Sequence, residues 1–150
     1  MTDQLSELYQ ELIVDHGRHP RNFKKLPHAT NTKEGFNPLC GDRVTLFLKI
    51  ENEKIVDASF EGKGCAISIA SASLMIEALK GKSIVDAKKI FDAFHYLVTN
   101  HNAGTSDVAL GKLSALKGVC EFPMRVKCAT LAWHTMMAVI SDSDTIRGIA

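Results

Sequence analysis

Three cysteines sit at points in the chain where core filling does not ordinarily place a thiol. The first lies in Asn37-Pro38-Leu39-Cys40-Gly41-Asp42, which sets a thiol and a carboxylate two residues apart across a glycine. Turn chemistry accounts for Asn37, Pro38 and Gly41 but not for Cys40. Cys65 closes the run Glu61-Gly62-Lys63-Gly64, and Cys128 lies five residues after Pro123. A buried structural cysteine more often sits mid-element within an apolar run. Cys40, Asp42, Cys65 and Cys128 are therefore expected to converge on one site. Three thiolates and a carboxylate form a tetrahedral donor set suited to zinc, and thiolate-rich sites also hold iron–sulfur clusters. Paired CxxC motifs of purely structural zinc are absent. Zinc with this set carries a formal charge of about −2, which Arg125, three residues before Cys128, is placed to offset if its guanidinium lies beside the sulfur. Cys120 lies eight residues before Cys128 and reads as structural.

The elements that must position these residues follow from periodicity. Leu5, Leu8, Tyr9, Leu12 and Ile13 recur at helical spacing and predict a helix from about Asp3 to His16, stopped by Gly17-Arg18-His19-Pro20. His16 and His19, beside that exit, read as solvated surface rather than ligands. The basic stretch from Arg21 to Leu26 could serve as a docking surface, with Phe23 anchored on the core. Val44, Leu46, Leu48 and Ile50 alternate with polar neighbours, and Ile55, Val56, Ala58 and Phe60 follow a polar turn, so an antiparallel hairpin is expected. A third strand near Thr30 to Phe36 is only faintly marked.

Cys65 stands where a helix from Ala66 to Lys80 begins, and the unpaired N–H groups and positive dipole end there favour a thiolate. Gly62 and Gly64 keep the approach open. The Gly-Lys-Gly lacks the remaining residues of a phosphate loop. Ala66, Ser68, Ala70, Ser71, Ala72 and Ser73 make the helix small-sided for close packing on the sheet. Ser83 with Asp86 starts a further helix carrying Ile90, Phe91, Phe94 and Leu97, broken at Asn100 to Gly104. Ser106 and Asp107 then open a helix ending at Gly118. Pro123 suits the first position of the last helix, whose stripe includes Leu131, Ala132, Thr135 and Met136. Trp133, Met136 and Met137 read as core, His95 and His101 as lone histidines without a metal role, and Ser141 to Ala150 as a frayed tail.

At 150 residues, 45% hydrophobic and 23% charged, the chain is expected to form one domain, residues 1–150. A net charge of +1 without long runs of one sign points to neither nucleic acid nor a membrane surface. No signal-peptide pattern or bilayer-spanning run is present, so the cytoplasm is the expected location. There four reduced cysteines favour metal or catalytic use over disulfides.

At these motifs the sequence resembles the IscU/NifU N-terminal family of iron–sulfur cluster assembly proteins. The resemblance rests on Asn37 to Asp42, on Gly64-Cys65-Ala66-Ile67-Ser68 with Ser71-Ala72-Ser73, and on Phe122-Pro123-Met124-Arg125-Val126-Lys127-Cys128-Ala129. Leu8-Tyr9 and the stretch from His16 to Asn22 match as well, so it covers nearly the whole chain. Two features resemble the SufU-like branch. The Cys65 to Cys128 interval is longer by roughly twenty residues, around Phe94 to Asp107, and Lys127 stands where the scaffold branch has a histidine ligand. The resemblance implies an α+β fold, a small three-stranded antiparallel sheet with helices packed on one side. It also implies zinc held by Cys40, Asp42, Cys65 and Cys128, with sulfur received from a pyridoxal-phosphate cysteine desulfurase and passed to the cluster assembly scaffold complex. Cys40, on a mobile turn, is then the sulfur acceptor, a sulfurtransferase-type role, with Arg125 beside it. The alternatives are a scaffold for a [2Fe–2S] cluster, with iron on the same thiolates, and a structural zinc domain that binds a partner.

Overall fold

Alternation of apolar and polar residues builds the sheet. The computed structural model describes the backbone of residues 2–100 and 110–149 and the side chains of residues 10–100 and 110–141. Strands β2 (Asp42–Glu51) and β3 (Lys54–Lys63) form the expected antiparallel hairpin. Val44, Leu46, Leu48 and Ile50 are buried, while Arg43, Thr45, Phe47 and Lys49 point to the opposite face. Asn52 and Glu53 both take positive φ, as a tight two-residue hairpin turn requires. Strand β1 (Asn31–Asn37) pairs antiparallel with β2, Asn31 opposite Leu48 and Asn37 opposite Asp42, giving the order β1-β2-β3. The third strand is therefore complete. Its sequence signature is faint because, until Asn37, its residues alternate only between half-buried and exposed.

The helices are α1 (Thr2–Arg18), α2 (Ala66–Leu79), α3 (Ile84–Thr99) and α4 (Pro123–Ile149), with a 3-10 helix at Gly111–Glu121. Helices α2 and α4 pack against the sheet and against each other, and α1 packs on α2. The apolar face of the sheet joins Leu74, Met75, Ile76, Trp133, Met136 and Ile140 in one core. Trp133 and Phe94 stack within it, centroids 4.4 Å apart. Ser83 caps α3 through a hydrogen bond from the Asp86 N–H, as its spacing predicts. Phe23 packs edge-on against Phe60, centroids 5.2 Å apart, which anchors the exit of α1 to β3. Among the described residues no helix is long and apolar enough to cross a membrane.

Four expectations are corrected. The helix ascribed to Ser106–Gly118 is a 3-10 helix at Gly111–Glu121; its proposed start, like His101, lies outside the described residues. Leu110, Leu113, Leu116 and Val119 recur at intervals of three and face the core, a spacing that lines up at three residues per turn and drifts off one face of an α-helix. The expected frayed tail from Ser141 is helical, since α4 runs to Ile149. Helix α1 continues past His16 to Arg18, and within it Gly17 lies against Ala66 so closely that a Cβ would come 3.1 Å from the Ala66 methyl.

The fourth correction is His16, which is 1% exposed rather than solvated; His19 is exposed. Ser73 Oγ accepts the Arg21 N–H at 2.9 Å and lies 2.8 Å from His16 Nδ1. On the other side of the ring, His16 Nε2 lies 3.7 Å from Glu77 Oε1. Burial, followed by the Arg21 charge, lowers the His16 pKa against the opposing pull of Glu77 and Asp15. A histidine kept neutral in the fold binds a proton more readily when unfolded, so stability is lost as pH falls below its ordinary value of about 6.5. The thermal midpoint should fall between about pH 7.5 and about pH 5.5. His16→Asn, which keeps a polar amide near the Nδ1 position but does not titrate, should flatten that slope. An unchanged slope in the variant would remove His16 as its source.

Candidate metal–sulfur site

The Cys40 turn is shaped by its own residues. Asn37 accepts the Leu39 N–H on its side-chain oxygen at 3.1 Å and the Gly41 N–H on its carbonyl at 2.8 Å. Gly41 takes φ +75°, a conformation that costs glycine nothing. The turn leaves Cys40 exposed and delivers Asp42, the first residue of β2, into the interior at 1% exposure.

The Asp42 carboxylate is the meeting point. Its Oδ1 accepts the Cys65 N–H at 3.1 Å, which ties β2 to the residue preceding α2. Its Oδ2 lies 3.0 Å from Cys40 Sγ and 3.9 Å from Cys65 Sγ. Cys40 Sγ lies 3.6 Å from Cys128 Sγ, and the donor atoms of Cys40, Asp42 and Cys128 all fall within 4.8 Å of one another. Cys65 stands at the margin of this trio. It is the N-cap of α2, and its sulfur accepts the Ser68 N–H at 3.4 Å. None of the four cysteines is in a disulfide.

Cys128 is the buried member, 7% exposed. Burial, then hydrogen bonding with Asp42, Cys40 and Cys65, pushes its thiol far above the usual range. A cation seated among these groups reverses that balance, because it favours the deprotonated sulfur that ligates it. The donor set fits such an ion. A tetrahedron drawn with zinc–sulfur bonds of about 2.3 Å has edges of about 3.8 Å, close to the observed Cys40–Cys128 separation. Cys65 would complete it as the fourth donor.

The surroundings are partly apolar and exposed: Phe36, Leu39, Phe122 and Met124 are each about half exposed or more. Arg43 lies over the Phe36 ring at 4.6 Å. Arg125, expected beside the Cys128 sulfur, has its guanidinium over the Phe122 ring at 4.7 Å. Lys127 is exposed and lines a cavity of about 290 Å³ with Pro38, Leu39 and His134. Cys120 is half-buried in the 3-10 helix. His95 stands edge-on to His134, centroids 5.8 Å apart, and both pack on Phe91. Gly64 is more tightly constrained than an open approach would need: a Cβ there would come 2.5 Å from Asp42 Oδ1.

A three-stranded sheet carrying this cysteine–aspartate cluster between its first turn and two helices defines a recognisable class. Residues 8–129 match the NifU-like N-terminal domain, and the chain belongs to that family. It is 42% identical over 140 residues to the zinc-dependent sulfurtransferase SufU of Bacillus subtilis, covering 93% of this chain and 94% of that protein. It is 36% identical to the iron–sulfur cluster assembly scaffold protein IscU of Streptococcus pyogenes, covering 93% and 87% respectively. The fold superposes with a TM-score of 0.81 on a candidate cluster assembly scaffold of the SUF system from Fervidobacterium islandicum, at 35% identity over 89% of this chain and 97% of that one.

Gly64 generates a test. Gly64→Ala should displace the Asp42 carboxylate and weaken zinc binding by about tenfold or more, as loss of outer contacts to metal ligands does, while circular dichroism stays native. Wild-type zinc affinity in this variant would mean that the close approach has no bearing on the site.

Proposed function

We propose that this chain, residues 1–150 acting as one unit, is a sulfur-transfer protein of iron–sulfur cluster assembly in the cytoplasm. In this reading it takes persulfide sulfur from a pyridoxal-phosphate cysteine desulfurase and passes it to the cluster assembly scaffold complex. The observation that carries the reading is the asymmetry of the donors: Cys40 is exposed on a turn, while its sulfur partner Cys128 is buried on a helix. The similarity to a zinc-dependent sulfurtransferase supports it. The residues that would hold zinc are Cys40, Asp42, Cys65 and Cys128, and the ion would keep these thiols deprotonated at neutral pH.

Cys40 supplies the nucleophile. Its thiolate attacks the outer sulfur of the donor persulfide, an S–S bond forms on Cys40, the donor's S–S bond breaks, and the donor cysteine leaves as a thiolate. The turn has open space around it in which to carry Cys40 outward, since nothing lies within 4 Å of a Cβ built at Gly41. Asp42, fixed by the Cys65 N–H, stays behind as the anchor. Arg125, exposed beside the site on Phe122, offers a cation to the negative charge exchanged between the sulfurs. The exposed apolar side chains Phe36, Leu39, Phe122 and Met124 suit contact with a protein donor rather than a free small molecule.

The test uses zinc-loaded protein, a cysteine desulfurase, cysteine and a thiol reductant, with alanine and sulfide release measured. Cys40→Ala should reduce turnover to that of the desulfurase alone, and Arg125→Ala should lower it by about tenfold. Undiminished stimulation by Cys40→Ala would exclude Cys40 as acceptor. A scaffold reading, in which the same donors hold a [2Fe–2S] cluster as cargo, is favoured by the IscU relatives. Anaerobic reconstitution yielding a cluster transferable to an apo-ferredoxin would select it.

A further inference from the structure

Two of the three buried serines of helix α2, Ser71 and Ser73, have different side-chain partners. Ser73 faces α1, where it meets His16 and the Arg21 N–H. Ser71 faces α4, and its hydroxyl donates to the Ala129 carbonyl at 2.6 Å while accepting the Trp133 Nε1–H at 3.1 Å. It is wholly buried. Ala129 is the residue next to Cys128, and Ser71 lies six residues into the helix that Cys65 caps. One side-chain oxygen therefore ties the helix that starts at Cys65 to the stretch of α4 that carries Cys128.

We propose that Ser71 is a positioning residue for the metal–sulfur site, one that holds Cys65 and Cys128 at a fixed spacing while Cys40 moves. The inference rests on the sulfur-transfer reading given above and adds to it the part that must stay still. Around Ser71 the buried side chains of the two helices include Ala70, Ala72, Ala129 and Ala132. Small smooth side chains resist sliding of one helix along another only weakly, whereas a short hydrogen bond is directional and sets one register. The bond goes to a main-chain carbonyl, so it fixes backbone rather than a rotatable side chain. Ser73, two residues on, is bonded instead to His16 and the Arg21 N–H and serves as the internal comparison.

Ser71→Ala alone leaves the buried Trp133 N–H without a partner and could fail to fold for that reason. Ser71→Ala with Trp133→Phe removes donor and acceptor together, which keeps the core satisfied while abolishing the tie to Ala129. Zinc release to a chromogenic chelator, and the thiolate-to-cobalt absorption bands of cobalt(II)-substituted protein, are measured well below the melting midpoint of every variant. The double variant should release zinc about tenfold faster than wild type and show shifted cobalt bands. Ser73→Ala should release zinc at the wild-type rate. Wild-type release and unshifted bands in the double variant would overturn the role of Ser71 alone. Absence of thiolate–cobalt bands in the wild-type protein would instead overturn the metal–sulfur reading on which it rests.

Discussion

A buried carboxylate holds the site together. The Asp42 side chain is nearly inaccessible, and a polar group persists in a protein interior only when its hydrogen-bonding atoms are met. One oxygen is met by the Cys65 N–H; the other is ringed by sulfur. Because that N–H belongs to the residue capping α2, the strand, the turn before it and the helix after β3 are all referred to one point. Closing that arrangement requires Gly64, since any side chain there would occupy the carboxylate's space.

The same arrangement separates parts that hold from a part that yields. Cys65 and Cys128 ride on helices whose flanks are packed into the core, and α2 is sealed on both sides by serine hydrogen bonds. Cys40 rides on a turn held by two hydrogen bonds to Asn37 and one glycine with left-handed φ. Few contacts oppose its departure, and local openings of low cost are drawn from segments of this kind.

How much of this could be read from the residues depended on how local each signal was. The β2–β3 hairpin, α2, the Ser83 cap and the Pro123 start of α4 are written in short-range periodicity and capping chemistry, and they stand as expected. The convergence of Cys40, Asp42 and Cys128 was legible because Cys40 lies in the turn before β2, Asp42 opens that strand and Cys128 falls in the early turns of α4. What escaped depended on distant neighbours. His16 looks like a surface residue until Ser73, far along the chain, supplies its partner. Arg125 has the right spacing to approach Cys128, but the face of the Phe122 ring seats its guanidinium. The serines of α2 read as small packing residues because their hydrogen-bond partners lie on other helices.

The 3-10 helix between α3 and α4 also governs reach. Eleven residues wound at about 2.0 Å per residue extend about 22 Å, where the same residues in an α-helix would cover about 16 Å. The tighter winding is thus the longer bridge. It lets a modest length of chain run along the core on Leu113, Leu116 and Val119 and still set down Pro123, and with it Cys128, at the end of the sheet where Asp42 waits. Winding the segment as an α-helix would shorten that bridge by roughly one α-helical turn and draw the start of α4 back from the other sulfurs.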